Sequence, residues 1–251
     1  MRRIAFALII VAFLAGCREE AEPSCAAIRF EDQPFTVCHF DAGDPGLALF
    51  HTHPDGAPYG DFDRLAEEVS STGGTLVFAM NAGMYHEDRR PVGLYVEDGE
   101  QAAGLVTRAG PGNFGMLPNG VFWIDENGAA HISETLAYEE VSPAARYASQ
   151  SGPMLVIGGA LHPSFNEDGT SRKRRNGAGI SADGRTVWFA ISDAPVNFHT
   201  FARLFRDELG TSDALYFDGV VSRLYAPELA RDDGGADMGP IVGVVRRSVT
   251  K

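Results

Sequence analysis

Thr75–Tyr95 reads TLVFAMNAGMYHEDRRPVGLY, and the fold turns on how this stretch is read. Leu76 to Met80 is an unbroken apolar run, the pattern of a buried strand. It stops at Asn81-Ala82-Gly83, where small and amide-bearing residues replace bulk. A strand that ends this way delivers a polar side chain into a cleft. His86, Glu87, Asp88, Arg89 and Arg90 follow directly, before Pro91 restarts an apolar run. Two readings stand side by side: a charged hairpin loop, or one wall of a site in which His86 and Glu87 take part and Asp88 to Arg90 form a solvated turn.

The same β-like grammar extends outward. Leu94–Val96 precedes Asp98-Gly99, Val121–Ile124 precedes Asn127-Gly128, and Val187–Ile191 follows Asp183-Gly184. These are hairpin turn pairs that tolerate positive φ. Helical patterns are few. Asp61 to Ser71 puts Phe62, Leu65, Ala66 and Val69 on one face, and Pro143 to Ser149 is read as a short helical turn. Asn197 to Leu209 has Asn197 as a cap, a Phe198/Phe201/Phe205/Leu209 stripe, and Gly210 as a stop. With no fixed-period repeat and no change of composition, the expected fold is a single α+β domain, a mostly antiparallel or mixed twisted β-sheet with a few packed helices.

The first sixteen residues read as a targeting segment: Arg2 and Arg3, an apolar Ile4–Phe13, then Leu14-Ala15-Gly16-Cys17. This resembles the lipobox of bacterial lipoproteins, which implies acylation of Cys17 and membrane attachment through that lipid anchor. Arg18 after the cysteine, by resemblance to the Gram-negative sorting rule, favours the outer membrane, with the protein facing the periplasm. Residues 17–24 are read as a tether and 25–251 as the domain. Cys25 and Cys38 flank a run of alternating character in an oxidising compartment, and a disulfide between them is the expected arrangement. The chain carries 34 acidic against 21 basic residues, a formal charge of −13. So acidic a chain argues against nucleic-acid binding, which needs a basic footprint.

Four strand-end segments carry chemistry. They are Asn81–Asp88; Gln150-Ser151-Gly152-Pro153 ahead of an apolar Met154–Ile157; TSRKRRNGAG at 170–179, the only basic cluster; and LYFDG at 215–219, followed by Ser222. Arg172 to Arg175 read as a solvated loop one by one. As a group they precede Asn176-Gly177-Ala178-Gly179, whose lack of bulk would let backbone amides approach an anion, and arginine matches phosphate oxygens bidentately. Asp193 and Asp218 each follow a strand. Each is a turn aspartate unless the two strands are neighbours, in which case both carboxylates emerge at one sheet end, as acid/base or nucleophilic sugar chemistry requires. His51 and His53 in HTHPDG form a lone H-x-H pair, and His86, His162 and His199 lack ligand spacing, so no metal site is assigned.

NAGMY at 81–85, QSGPML at 150–155, RRNGAG at 174–179 and DGVVS at 218–222 together resemble the phosphodiester glycosidase family, over roughly residues 45–245. Asn81 and Gly83 match its first element, Arg175 and Gly179 its second, and Asp218, Gly219 and Ser222 its third. Asn176-Gly177-Ala178 stands where the family often has Thr-Ala-Ile, and Val220-Val221 replaces two glycines. The resemblance implies hydrolysis of a sugar-1-phosphodiester on an envelope glycan or glycolipid, with no cofactor. Asp218 is expected as base or nucleophile and Asp193 as a second carboxylate. Arg175 and Arg172 are expected on the phosphate, and Asn81, His86 and Gln150 on sugar hydroxyls or a water. Glu87, Ser151, Gly83, Gly179, Gly219 and Ser222 complete the expected substrate-binding set. Two rivals make the protein a non-catalytic binder of a phosphorylated glycan, or a metal-dependent phosphodiesterase built on His51 and His53.

Overall fold

A computed structural model describes residues 24–247. The targeting segment, Cys17 and all of the tether but Ser24 lie outside the described residues. The chain opens with β1 (Cys25–Phe30), β2 (Gln33–Asp41), β3 (Leu47–Phe50), α1 (Phe62–Ser71), β4 (Gly74–Asn81), β5 (Tyr95–Glu97) and β6 (Glu100–Ala103). It continues with β7 (Gly120–Asp125), β8 (Ala130–Glu134), α2 (Thr135–Val141), β9 (Ala145–Ser151), β10 (Met154–Ile157) and β11 (Ala160–Leu161). The last part holds β12 (Asn176–Ser181), β13 (Thr186–Ser192), α3 (Phe198–Arg203), β14 (Thr211–Asp218), β15 (Leu224–Ala226), β16 (Arg231–Asp232) and β17 (Ile241–Arg247).

The strands form one seven-stranded sheet, β1-β2-β13-β12-β14-β10-β11, and two five-stranded sheets, β16-β15-β4-β17-β3 and β6-β5-β9-β7-β8. Every pairing between these strands is antiparallel, and the whole is an α+β fold. Side-chain alternation explains how three sheets share one core. On β14, Leu215 and Phe217 face the shared core while Ala214 and Tyr216 face α3; on β4, Phe78 and Met80 face it while Ala79 faces α1. At the centre Phe189 meets Phe78, Phe122 and Phe40, with ring centroids 4.8, 6.0 and 6.4 Å away. A disulfide joins Cys25 to Cys38 across the β1/β2 hairpin, where the two residues are directly opposed.

The helices follow their caps. Asp61 accepts a hydrogen bond from Arg64 N at 2.8 Å and starts α1. Asn197 accepts from Thr200 N at 2.8 Å and starts α3, which passes into one wider turn over Leu204–Glu208 before Gly210, at φ 62°. One expectation is corrected. Pro143–Ser149 is not a helical turn, because from Ala145 the chain is β9, paired on one side with β7 and on the other with β5. The helix in this region is instead α2, capped by Glu134 through Leu136 N and Ala137 N.

Candidate active site

Three strand ends meet at one place. β4 ends at Asn81, β12 begins at Asn176, and β14 ends at Asp218, with Asn176 and Asp218 in direct register. β4 belongs to a different sheet, and a reciprocal amide pair bridges the gap: Asn81 Nδ2 donates to Asn176 Oδ1 at 3.1 Å, and Asn176 Nδ2 donates to Asn81 Oδ1 at 3.0 Å and Asn81 O at 2.8 Å. Asn81 Oδ1 also accepts from Arg223 N at 3.0 Å, and Asn176 Oδ1 accepts from Asp218 N at 3.1 Å. Both side chains are fully buried. The amide of Asn81 is therefore engaged with protein groups that shape the site. Ser222 Oγ lies 3.1 Å from both Asp218 O and Arg174 O, closing the turn that starts at Asp218.

That turn wraps the carboxylate. Asp218 Oδ1 accepts from Gly219 N at 2.5 Å and Val220 N at 2.9 Å, whereas Oδ2 has only the longer contact to Val221 N at 3.4 Å. Burial pushes the Asp218 carboxyl above its ordinary value, opposed by these three amides. Val220 and Val221 contribute through backbone N–H groups, and the Val220 side chain is 86% exposed. The departure from glycine at these positions thus leaves the donors in place. At Gly219 a side chain is excluded, since a Cβ there would stand 2.1 Å from Tyr216 Oη.

The basic segment is arranged otherwise than its sequence suggests. Asn176–Ser181 is β12, hydrogen-bonded on both sides in the seven-stranded sheet, so it forms no amide-lined anion loop. Gly179 lies in mid-strand under the turn after α3, where a Cβ would come within 2.7 Å of both Phe205 and Thr211; its role is close packing. Arg172 is exposed, while Arg175 is fully buried. The Arg175 guanidinium lies 3.6 Å over the Phe198 ring, donates from Nε to Val196 O at 2.9 Å and from Nη2 to Ser171 O at 2.8 Å, and leaves Nη1 without a partner.

Asp193 is not the companion of Asp218 that neighbouring strands would have made it. β12 lies between β13 and β14, and Asp193 is occupied by Arg231 Nη1 at 2.7 Å and Thr36 Oγ1 at 3.0 Å. Gln150 is structural in its contacts: Oε1 accepts from Leu94 N and Val106 N at 3.1 and 3.0 Å, and Nε2 donates to Val106 O at 2.7 Å. Ser151 Oγ donates to Phe217 O at 3.0 Å, next to Asp218 in the chain. A Cβ at Gly83 would come 2.7 Å from Ser149 Oγ, whose hydroxyl donates to Ala82 O at 2.6 Å.

The charged run after Asn81 is a hairpin, with Tyr85 bridged to Pro91 and His86 N donating to Arg90 O. His86 and Glu87 are exposed at its tip, and Asp88 pairs with Arg90 in solvent. Tyr85, which the residue patterns did not single out, donates to Asp237 O at 3.0 Å; burial, together with the charge of Asp218, pushes its phenol up. Asn176 and Tyr216 were passed over as well. Both stood beside selected residues, Asn176 directly after Arg175 and Tyr216 two before Asp218 across a bulge in β14.

The histidine pair is tied down locally. His51 ring nitrogens contact Thr52 Oγ1 and Arg89 O, and His53 pairs with Asp55 and Glu68. Among the described residues no group of three or more His, Cys, Asp or Glu has the arrangement to hold a metal ion.

The phosphodiester glycosidase family profile matches residues 74–241, which hold Asn81, Arg175, Asp218 and Ser222. The chain is 31% identical over 227 residues to the uncharacterized protein YigE of Escherichia coli K12, covering 90% of this chain and 85% of that one. Its fold is similar to the zebrafish N-acetylglucosamine-1-phosphodiester alpha-N-acetylglucosaminidase catalytic domain, auto-inhibited by its pro-peptide, with a TM-score of 0.59 at 14% identity over 89% of this chain and 82% of that one. A putative exported protein of Burkholderia pseudomallei K96243 has the same fold at a TM-score of 0.56 and 13% identity, over 84% and 74% of the two chains.

Proposed function

The chain belongs to the phosphodiester glycosidase family, and from the geometry at Asp218 we infer that it hydrolyses the bond between a sugar's anomeric carbon and a phosphodiester. One observation carries this reading. A carboxylate only 8% exposed, pushed up by burial and with one oxygen lightly engaged, sits at the sheet end that also holds a buried arginine without a carboxylate partner.

The chemistry needs little else. Phosphate leaves readily, so the C1–O bond breaks with its electron pair going to the phosphate oxygen. Water adds to C1, and Asp218 Oδ2 takes the water's proton. A carboxylate with a raised pKa is a better base for that transfer. Arg175 supplies positive charge for the departing phosphate, and Tyr85 lies close enough to feel the charge of Asp218. A leader-like N-terminus with Cys17 at its end supports a glycan or glycolipid of the cell envelope as substrate.

The test is release of reducing sugar from a sugar-1-phosphodiester by the purified protein, with Asp218→Asn beside it. Loss of proton transfer is expected to slow the variant by about 10²–10⁴-fold. Wild-type release no faster than the variant's rejects the assignment.

A further inference from the structure

The β4/β17 pair ends in a cleft on the side away from Asp218. Ile241 is opposite Asn81 at the candidate active site, whereas Arg246 and Arg247 are opposite Thr75 and Gly74 at the other end. A run of strand about 20 Å long separates the two ends. The cleft encloses about 680 Å³ and is lined by residues of β3, α1, β9 and β17. That volume is typical of sites for small molecules. Leu47, Ala48, Phe50 and Val245 give it an apolar surface, with Tyr59 and Tyr147 beside them.

The polar groups around the cleft balance in charge and still have hydrogen bonds to give. Arg246 Nη1 and Nη2 donate to the two Asp44 carboxylate oxygens at 2.7 Å each, and Arg146 Nε donates to Asp98 at 2.8 Å. A guanidinium carries more N–H donors than one carboxylate takes up, so each arginine keeps donors for another partner. Arg247 and Glu68 also line the cleft and are opposite in sign. Tyr59 is only 7% exposed, yet its hydroxyl has no hydrogen-bond partner among the described residues. So buried a polar group normally has one. Burial, with the charges of Glu68 and Glu97, pushes the Tyr59 phenol up to about 12, so it stays protonated and able to donate.

The kind of ligand follows from these groups. Donors and an acceptor surround an apolar surface with no excess of charge. An anionic ligand needs cations in excess, and an aliphatic chain would leave the polar rim unmatched. A pyranose ring meets both conditions: its C–H faces are apolar and pack on aromatic carbon, and its hydroxyls donate and accept around the edge. We propose that this cleft is a second, non-catalytic site that binds an uncharged sugar ring, with Tyr59 Oη donating to a sugar oxygen and Glu68 accepting from a sugar hydroxyl. The proposal stands apart from the chemistry at Asp218 and does not require a phosphodiester.

Methyl glycosides of glucose, galactose, mannose and N-acetylglucosamine are the probes, each added to the full chain. Saturation-transfer NMR should find at least one that binds, and calorimetry should give its affinity. Tyr59→Phe keeps the ring and its hydroxyl has no protein partner to lose, so the variant should melt as wild type does while its Kd rises about three- to tenfold. Tyr147→Leu, which keeps bulk but removes an aromatic wall, should weaken binding too. Asp218→Asn should bind as tightly as wild type. No binding by any of the four glycosides would overturn the proposal, as would binding that both tyrosine substitutions leave unchanged. Binding lost in Asp218→Asn would place the sugar at the candidate active site instead. A dimer in sedimentation that Arg247→Glu converts to monomer would give the cleft to a second copy of the chain, and that result also overturns the sugar site.

Discussion

Asn176 is where one side chain does the most. Its carboxamide ties β4 to β12 and receives the N–H of Asp218, so it sets the start of the turn that wraps the carboxylate. Replacement by alanine leaves the Asn81 amide and the Asp218 N–H unmatched in a dry interior, at about 1–3 kcal/mol for each orphan. Thermal melting should register a loss of about 3 kcal/mol. Asn176→Asp keeps an acceptor for those donors but adds a charge beside Asp218. It should therefore move the acid limb of the pH–rate profile upward, an effect that a purely structural role would not produce. Asp218 itself has a sign that can be checked. Its folded-state pKa is raised by burial, so its contribution to stability is fully present below the ordinary carboxylate value and is lost as pH rises through the raised one. The melting temperature of wild type relative to Asp218→Asn should accordingly fall as pH rises above the ordinary carboxylate range, while the variant stays slower than wild type throughout.

At the scale of elements, β12 is the informative strand. Its Asn-Gly-Ala-Gly start looks like a phosphate loop in sequence, yet lack of bulk also lets a strand lie close under a helix. The structure has the second arrangement, with Phe205 and Thr211 pressed against Gly179. Gly179→Ala should therefore overpack and lower stability by about 1–3 kcal/mol while leaving KM for a sugar-1-phosphodiester unchanged. A raised KM with an unchanged melting temperature would return Gly179 to the anion site. The strand β9 shows the same limit from the other side. Pro143–Ser149 contains alanines and an arginine, good helix formers, but β5 and β7 each offer an open edge, and pairing on both sides outweighs so weak a preference. Where a local signal was strong the reading held. Asn197 caps α3, and Phe201 and Phe205 of the stripe after it are buried with Phe198 partly so, as Phe62, Leu65 and Val69 are buried on α1.

Over the whole molecule, the disulfide and the site sit on separate parts of the large sheet. Cys25 and Cys38 staple β1, an edge strand paired among the described residues with β2, whereas the site is built where β4 and β14 end and β12 begins. Closing so short a loop is worth about 3 kcal/mol. Reduction should lower the melting temperature by about 6–12 °C, at about 2–4 °C per kcal/mol for a chain of this size, with activity retained at room temperature. Loss of activity on reduction without loss of fold would contradict that separation. The acidic balance of the chain bears on its partners: a buried cation such as Arg175 attracts a phosphoryl group against a surface that is negative overall, so turnover should be more sensitive to truncating Arg175 than to truncating the exposed Arg172.

Sequence by itself determined the strand-rich single fold, the hairpin turns, two of the helices and the pairing of Cys25 with Cys38, because apolar periodicity, turn chemistry and caps act over a few residues. It also brought Asn81, Arg175, Asp218 and Ser222 forward through their motifs. Only the tertiary structure decided what those residues touch. Strand order separated Asp193 from Asp218 by one strand, and packing turned Gly179 and Gln150 into structural groups. Packing set the Arg175 guanidinium against the Phe198 and Tyr216 rings. Each of these depends on which distant segments lie side by side, and no local pattern of residues encodes that.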